Sequence, residues 1–119
     1  MSEVVHIKWY ATLLRGELFA DAVAQMSPIA LRYGATRYAV HRSADDEYSI
    51  LQMIWFEDHG DWYRFWDGPE LVEFRARYSG KFQAPITYVV HREIAAGELG
   101  PQVPLSEEAP IPAPAPAAA

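Results

Sequence analysis

Arg75 stands where a guanidinium is hard to place. Helical spacing sets it in the middle of an apolar arc made by Leu71, Val72 and Tyr78, so its charge must meet an anion or escape to an edge. Two roles fit. It can clamp a phenolate, carboxylate or enolate, or it can be structural, paired with an acid such as Glu57 or Asp67 or stretched out to the helix rim. A second polar set, His6, Lys8 and Tyr10, shares one strand face by its period of two. Neighbouring strands are expected to bring Gln52 and Tyr88 beside it, giving either a ligand site or a satisfied network that sets register. The aromatic residues Trp9, Trp55, Trp62, Trp66 and Tyr78 build either a core or the wall of a pocket for planar ligands. His6, His41, His59 and His91 fall on separate elements without metal-ligand spacing, so no metal site is expected. No nucleophile–base pair, glycine-rich phosphate loop or paired-carboxylate arrangement stands out.

Composition limits what these residues can be part of. The chain has 119 residues, half of them hydrophobic, which is enough for one domain with a real core. It has no cysteine, which removes disulfides, thiolate metal sites and a cysteine nucleophile. The net charge is -6, and Glu98, Glu107 and Glu108 place three of the acids near the C-terminus. Near-balanced charge elsewhere argues against a nucleic-acid footprint, which needs clustered Lys and Arg. No leader pattern and no stretch long enough for a bilayer is legible, so no membrane association and a cytoplasmic location are the expectation.

The elements that must position these side chains follow in order. Residues 4 to 13 alternate, with Val5, Ile7, Trp9, Ala11 and Leu13 on one face, and predict a first strand. Leu18, Phe19, Ala22, Val23, Met26, Ile29, Ala30 and Tyr33 share one helical arc, which runs through Pro28 as a kink and ends at Gly34. Residues 35 to 43 and 48 to 56 predict two strands joined by the polar turn at residues 44 to 47. Asp58 then caps a helix carrying Trp62, Phe65 and Trp66 at helical spacing. Gly68-Pro69 breaks it and starts another helix running to about Tyr78, and residues 85 to 94 make the last strand.

The order β-α-β-β-α-β predicts an α+β, ferredoxin-like domain: a four-stranded antiparallel sheet with helices on one face. Strands three and four are apolar on both parities, so the second face should be covered. The cheapest cover is a second copy of the chain, giving a homodimer or higher oligomer of the dimeric α/β barrel type. This domain is placed at residues 1–96. Residues 97–119, rich in Pro and Ala, cannot form a core and are expected to be an extended tail that could engage a partner protein.

The run Trp55-Phe56-Glu57-Asp58, then Trp62, then Gly68-Pro69-Glu70-Leu71 with Phe74, resembles the signature of the antibiotic biosynthesis monooxygenase group in the dimeric α/β barrel superfamily. The resemblance spans roughly residues 4 to 95. It implies a dimer with a cavity between sheet and helices, and activities that include cofactor-independent oxidation of aromatic polyketides and quinols. Haem degradation, also found in the superfamily, relies on an Asn, Trp, His set, and this chain contains no asparagine. Phe65 and Glu70 stand where relatives often carry histidines. On the oxygenase reading no cofactor is needed. Arg75 stabilises a substrate anion, His59 or Tyr63 serves as base or donor, and Trp9, Trp55, Trp62, Trp66 and Tyr78 bind an aromatic or quinone-like small molecule. The other reading is a non-catalytic accessory or assembly module whose tail engages a partner.

Overall fold

The computed structural model describes residues 2–100 and 112–116. The tail's central stretch, where Val103, Leu105 and Ile111 lie, is outside the described residues.

Strand β1 (Glu3–Tyr10) leads into α1 (Gly16–Met26) and a 3-10 helix (Ser27–Tyr33). Then come β2 (Ala35–Arg42), β3 (Ser49–Phe56), α2 (His59–Trp66), α3 (Pro69–Arg77) and β4 (Thr87–Arg92). The four strands form one sheet in the order β2-β3-β1-β4, with every neighbouring pair antiparallel. This is the ferredoxin-like arrangement, with all helices on one face.

Alternation decides what meets the helices. Val5, Ile7 and Trp9 on β1 lie opposite Ile54, Gln52 and Ile50 on β3, and these six close a core with Phe19, Val23, Phe56, Trp62, Phe65 and Leu71. Burying each large apolar side chain contributes roughly 1.5–3 kcal/mol, so this layer supplies most of the drive to fold.

Local chemistry sets the helix limits. The Asp58 carboxylate accepts from the Gly60 amide at 2.9 Å, satisfying one free donor of α2. Asp58→Ala is therefore expected to cost about 1 kcal/mol. A thermal melt should show the midpoint fall by roughly 4–8 °C. Pro69 occupies the first turn of α3, where its missing amide costs nothing.

Several expected boundaries shift. The first strand ends at Tyr10 rather than residue 13, because Leu14 adopts a positive φ of 68° and turns the chain. Leu13 is consequently exposed, as is Leu18 at the start of α1. The helix does not merely kink at Pro28: from Ser27 it tightens into the 3-10 form. The last strand is shorter than residues 85 to 94, since the chain becomes regular only from Thr87.

Candidate active site

Helix α2 places His59, Trp62, Tyr63 and Trp66 at i, i+3, i+4 and i+7, one continuous stripe. That stripe lies beside the sheet edge. Tyr88 of edge strand β4 makes ring contacts at 5.2 Å with Trp62 and 5.8 Å with Trp66. Trp62 and Trp66 stack at 5.2 Å with planes 29° apart. Trp66 also touches Trp9 at 5.8 Å, tying the stripe to the core.

At the C-terminal end of the stripe, the Arg75 guanidinium lies 4.3 Å from the centre of the Trp66 ring. Its Nη1 donates to the Trp66 carbonyl at 2.9 Å. The residue thus closes the end of α2 from α3. Burial pushes the guanidinium below its usual range while nearby Asp67 opposes this, and the group keeps its charge at neutral pH. Neither acid suggested by the sequence, Glu57 or Asp67, forms an ion pair with Arg75 among the described residues. The helix supplies a carbonyl instead.

Toward the N-terminal end the structure joins three residues into a chain. His59 Nδ1 lies 2.8 Å from Glu3 Oε1, and His59 Nε2 lies 3.2 Å from the Tyr63 hydroxyl. A carboxylate on Nδ1 favours a proton there and leaves Nε2 as the acceptor facing Tyr63. This is the geometry of a proton relay, and its members are accessible to solvent. His59 and Tyr63 were legible as an i, i+4 pair. Glu3 was not, because only the register that sets Glu3 opposite Phe56, two residues before the α2 cap, brings it there.

The aromatic set is divided. Trp9, Trp62 and Trp66 cluster together, whereas Tyr78 packs on Phe74 at 4.8 Å and on Phe19 at 6.1 Å. Trp55 lies on the opposite sheet face, between Arg37, 4.3 Å above its ring, and Glu93, which accepts from its Nε1 at 3.0 Å. The five therefore do not form one wall. Within the cluster, the Trp62 Nε1 is buried with no hydrogen-bond acceptor, a feature native interiors rarely leave unexplained.

One expected grouping is overturned. Gln52 and Tyr88 do not join His6, Lys8 and Tyr10, because both lie opposite Ile7 and so point to the helical side. Gln52 is fully buried, accepting from Trp9 Nε1 at 2.9 Å and donating to Ser27 Oγ at 2.8 Å. Ser27 in turn donates to the Val23 carbonyl at 2.7 Å. Tyr10 donates to Asp46 at 2.7 Å.

Hollows of about 220 Å³ beside Met26, Ile29, Phe74 and Tyr78, and of about 380 Å³ beside Lys8, His41 and Leu51, open elsewhere; Arg75 lines neither. Among the described residues no group of three or more His, Asp or Glu is placed to hold a metal ion. Nor is any helix long and apolar enough to cross a membrane.

The fold is that of the antibiotic biosynthesis monooxygenase-like proteins, a class of ferredoxin-like α+β domains. A proposed antibiotic biosynthesis monooxygenase from Nitrosomonas europaea superposes with a TM-score of 0.70 at 16% identity, covering 78% of this chain and 90% of that one. The Mycobacterium tuberculosis protein Rv0793 gives 0.69 at 12%, covering 82% and 100%. SnoaB, a cofactor-independent oxygenase from Streptomyces nogalater, was compared as a single-site mutant and gives 0.66 at 14%, covering 80% and 95%. No family model matches the sequence, and no curated protein is similar to it at a significant level. At these identities the likeness is one of fold.

Proposed function

We propose that the chain binds a planar, oxygen-bearing aromatic molecule along the α2–β4 edge and oxidises it as a cofactor-independent monooxygenase. The observation that carries this reading is the unsatisfied, buried Trp62 N–H beside the Trp66–Tyr88–Arg75 cluster. A ligand carbonyl or phenolate would supply the missing acceptor, and Arg75 the countercharge. Tyr63 lies about 4.5 Å of helix rise from Trp66, so one fused-ring substrate can span both the aromatic end and the relay. The fold neighbour described as a cofactor-independent oxygenase supports the reaction class.

The chemistry asks little of the protein. On a dihydroxyanthrone, His59, acting directly or through Tyr63, removes a proton from the activated methylene. The resulting carbanion reduces O₂; one oxygen atom becomes the new carbonyl and the other leaves as water. Arg75 and the Trp62 N–H would hold the negative charge while it is delocalised on ring oxygen. We also assign the open sheet face to a second copy of the chain, making the working unit a homodimer.

The test is binding and oxygen uptake with a dihydroxyanthrone in air. Tryptophan fluorescence should quench on binding. Arg75→Met and Trp62→Phe should each weaken binding about ten- to hundred-fold, the range for a lost hydrogen bond to a charged or buried group. Absence of both quenching and oxygen uptake in the wild-type chain would defeat the proposal.

One observation favours a second reading. The space between sheet and helices is filled by Trp9, Phe19, Phe56, Trp62 and Phe65, each no more than 2% exposed, which suits an accessory module whose Pro/Ala-rich tail engages a partner protein. On that reading the ligand experiment is silent, and deletion of residues 97–119 abolishes partner association instead.

A further inference from the structure

The sheet face away from the helices can be laid out row by row from the register. His41, Leu51, Lys8 and Thr87 form one row, and Ala39, Met53, His6 and Val89 the next. Arg37, Trp55, Val4 and His91 form the third. Three of the four histidines therefore share one face. Their setting is apolar: Val4 and Trp55 are each 7% exposed, while Leu51, Met53 and Ala39 are half-buried. His6 occupies the middle row on inner strand β1 and its ring lies 4.6 Å from that of His91.

The charges on this face complement one another. Lys8 and Arg37 are its cations. Glu93, held on Trp55 Nε1, and Glu57, which accepts from Ser2 Oγ, are acids at one margin. Asp46, bonded to Tyr10, is an acid at the other. A surface that carries both signs around an apolar centre is self-complementary, which is what an isologous two-fold contact requires. A one-signed partner would leave one set of these charges opposed. We infer that this face joins two copies of the chain only while His6 is neutral, so that acidification from pH 7.5 to pH 5 separates the dimer without unfolding the subunits. The inference rests on the assignment of the open face to a second copy.

The reason is positional. In any face-to-face pairing with a two-fold axis through the centre of the face, the central residue lies near the axis and meets its own symmetry mate's surroundings. His6 on β1 and Met53 beside it on β3 occupy that centre, and His6 is its titratable member. The groups facing His6 are Lys8 on β1, His91 on β4, Glu93 just beyond the end of β4, Glu57 beyond the end of β3, and Arg37 and His41 on β2, with Tyr10 and Asp46 at the far margin. Its nearest titratable neighbours are thus a lysine and a histidine, and both disfavour its protonation. In the single chain burial, then His91, then Lys8 already lower the His6 pKa. A second copy removes more solvent and lowers it further. The sign follows: a group whose pKa is lower in the dimer than in the free subunit favours the dimer at high pH. That advantage fades as pH falls through the free subunit's value, below about 6.5.

Sedimentation or light scattering across pH 8 to pH 5 at fixed ionic strength reads the dimer constant, while circular dichroism follows the fold. A His6 that stays neutral in the dimer but takes up a proton in the free subunit weakens association, and both copies contribute, so Kd should rise at least about ten-fold between pH 7.5 and pH 5. His6→Gln should keep the dimer at pH 5, and His6→Lys should give a folded monomer at pH 7.5. A wild-type Kd that is the same at both pH values, or a dimeric His6→Lys, overturns the inference and leaves the dimer assignment standing. A wild-type monomer at pH 7.5 overturns both. Should acid unfold the subunit, the neutral-pH behaviour of His6→Lys decides the matter.

Discussion

Gln52→Leu is expected to lower the unfolding free energy by about 3 kcal/mol, although leucine is close in size and more apolar. The side chain has no exposure and satisfies two neighbours: its Oε1 takes the Trp9 indole N–H at 2.9 Å and its Nε2 reaches Ser27 Oγ at 2.8 Å. Leucine leaves the Trp9 N–H without an acceptor in the centre of the core and frees the Ser27 end of the network. Each orphaned buried group costs about 1–3 kcal/mol, against a small gain in apolar transfer. For a domain of this size the thermal midpoint should fall by roughly 10–20 °C. A double-mutant cycle isolates the cause. In Trp9→Phe the N–H is gone, so Gln52→Leu should cost clearly less in that background than in the wild type. Equal costs in the two backgrounds would show that the hydrogen bond contributes nothing and that shape alone sets the effect.

The largest effect on turnover is expected from His59→Gln, a loss of about 10²- to 10⁴-fold in the oxidation of a dihydroxyanthrone. Glutamine can keep hydrogen bonds to Glu3 and Tyr63 but cannot take a proton near neutral pH. Because the relay is accessible to solvent, stability should change by no more than about 0.5 kcal/mol. Glu3→Gln tests the role of the carboxylate. If it orients His59, turnover should fall in this variant while substrate binding stays the same. Wild-type turnover in His59→Gln would remove the relay from the mechanism and leave the Trp66–Tyr88–Arg75 end as a binding site alone.

Element order, the Asp58 cap and the break at Gly68-Pro69 are legible in the sequence because each rests on local chemistry. A carboxylate that meets a free amide two residues on, a proline at a first helical turn and a glycine that ends a helix all act within a few residues. Trp62, Phe65 and Trp66 could be assigned to a single helix face for the same reason. The tertiary structure decided everything that depended on strand register. Sequence pattern alone groups Gln52 and Tyr88 with His6, Lys8 and Tyr10. The observed register sets both opposite Ile7 instead, and a shift of one residue moves a side chain to the other face. The same period of two divides Trp55 from Trp9, Trp62 and Trp66, since aromatic content carries no information about which side of a sheet is occupied. Helical spacing sets Arg75 in an arc with Leu71, Val72 and Tyr78, yet Val72 is exposed, and the group that Arg75 meets, the Trp66 carbonyl, is within reach only because Gly68-Pro69 folds α3 back toward the end of α2. Glu3 reaches His59 across 56 residues of sequence, and no local pattern could have paired them. Local propensity therefore determined the elements of this protein, while non-local pairing chose the faces and placed Glu3, His59, Tyr63, Trp66, Arg75 and Tyr88 along one edge.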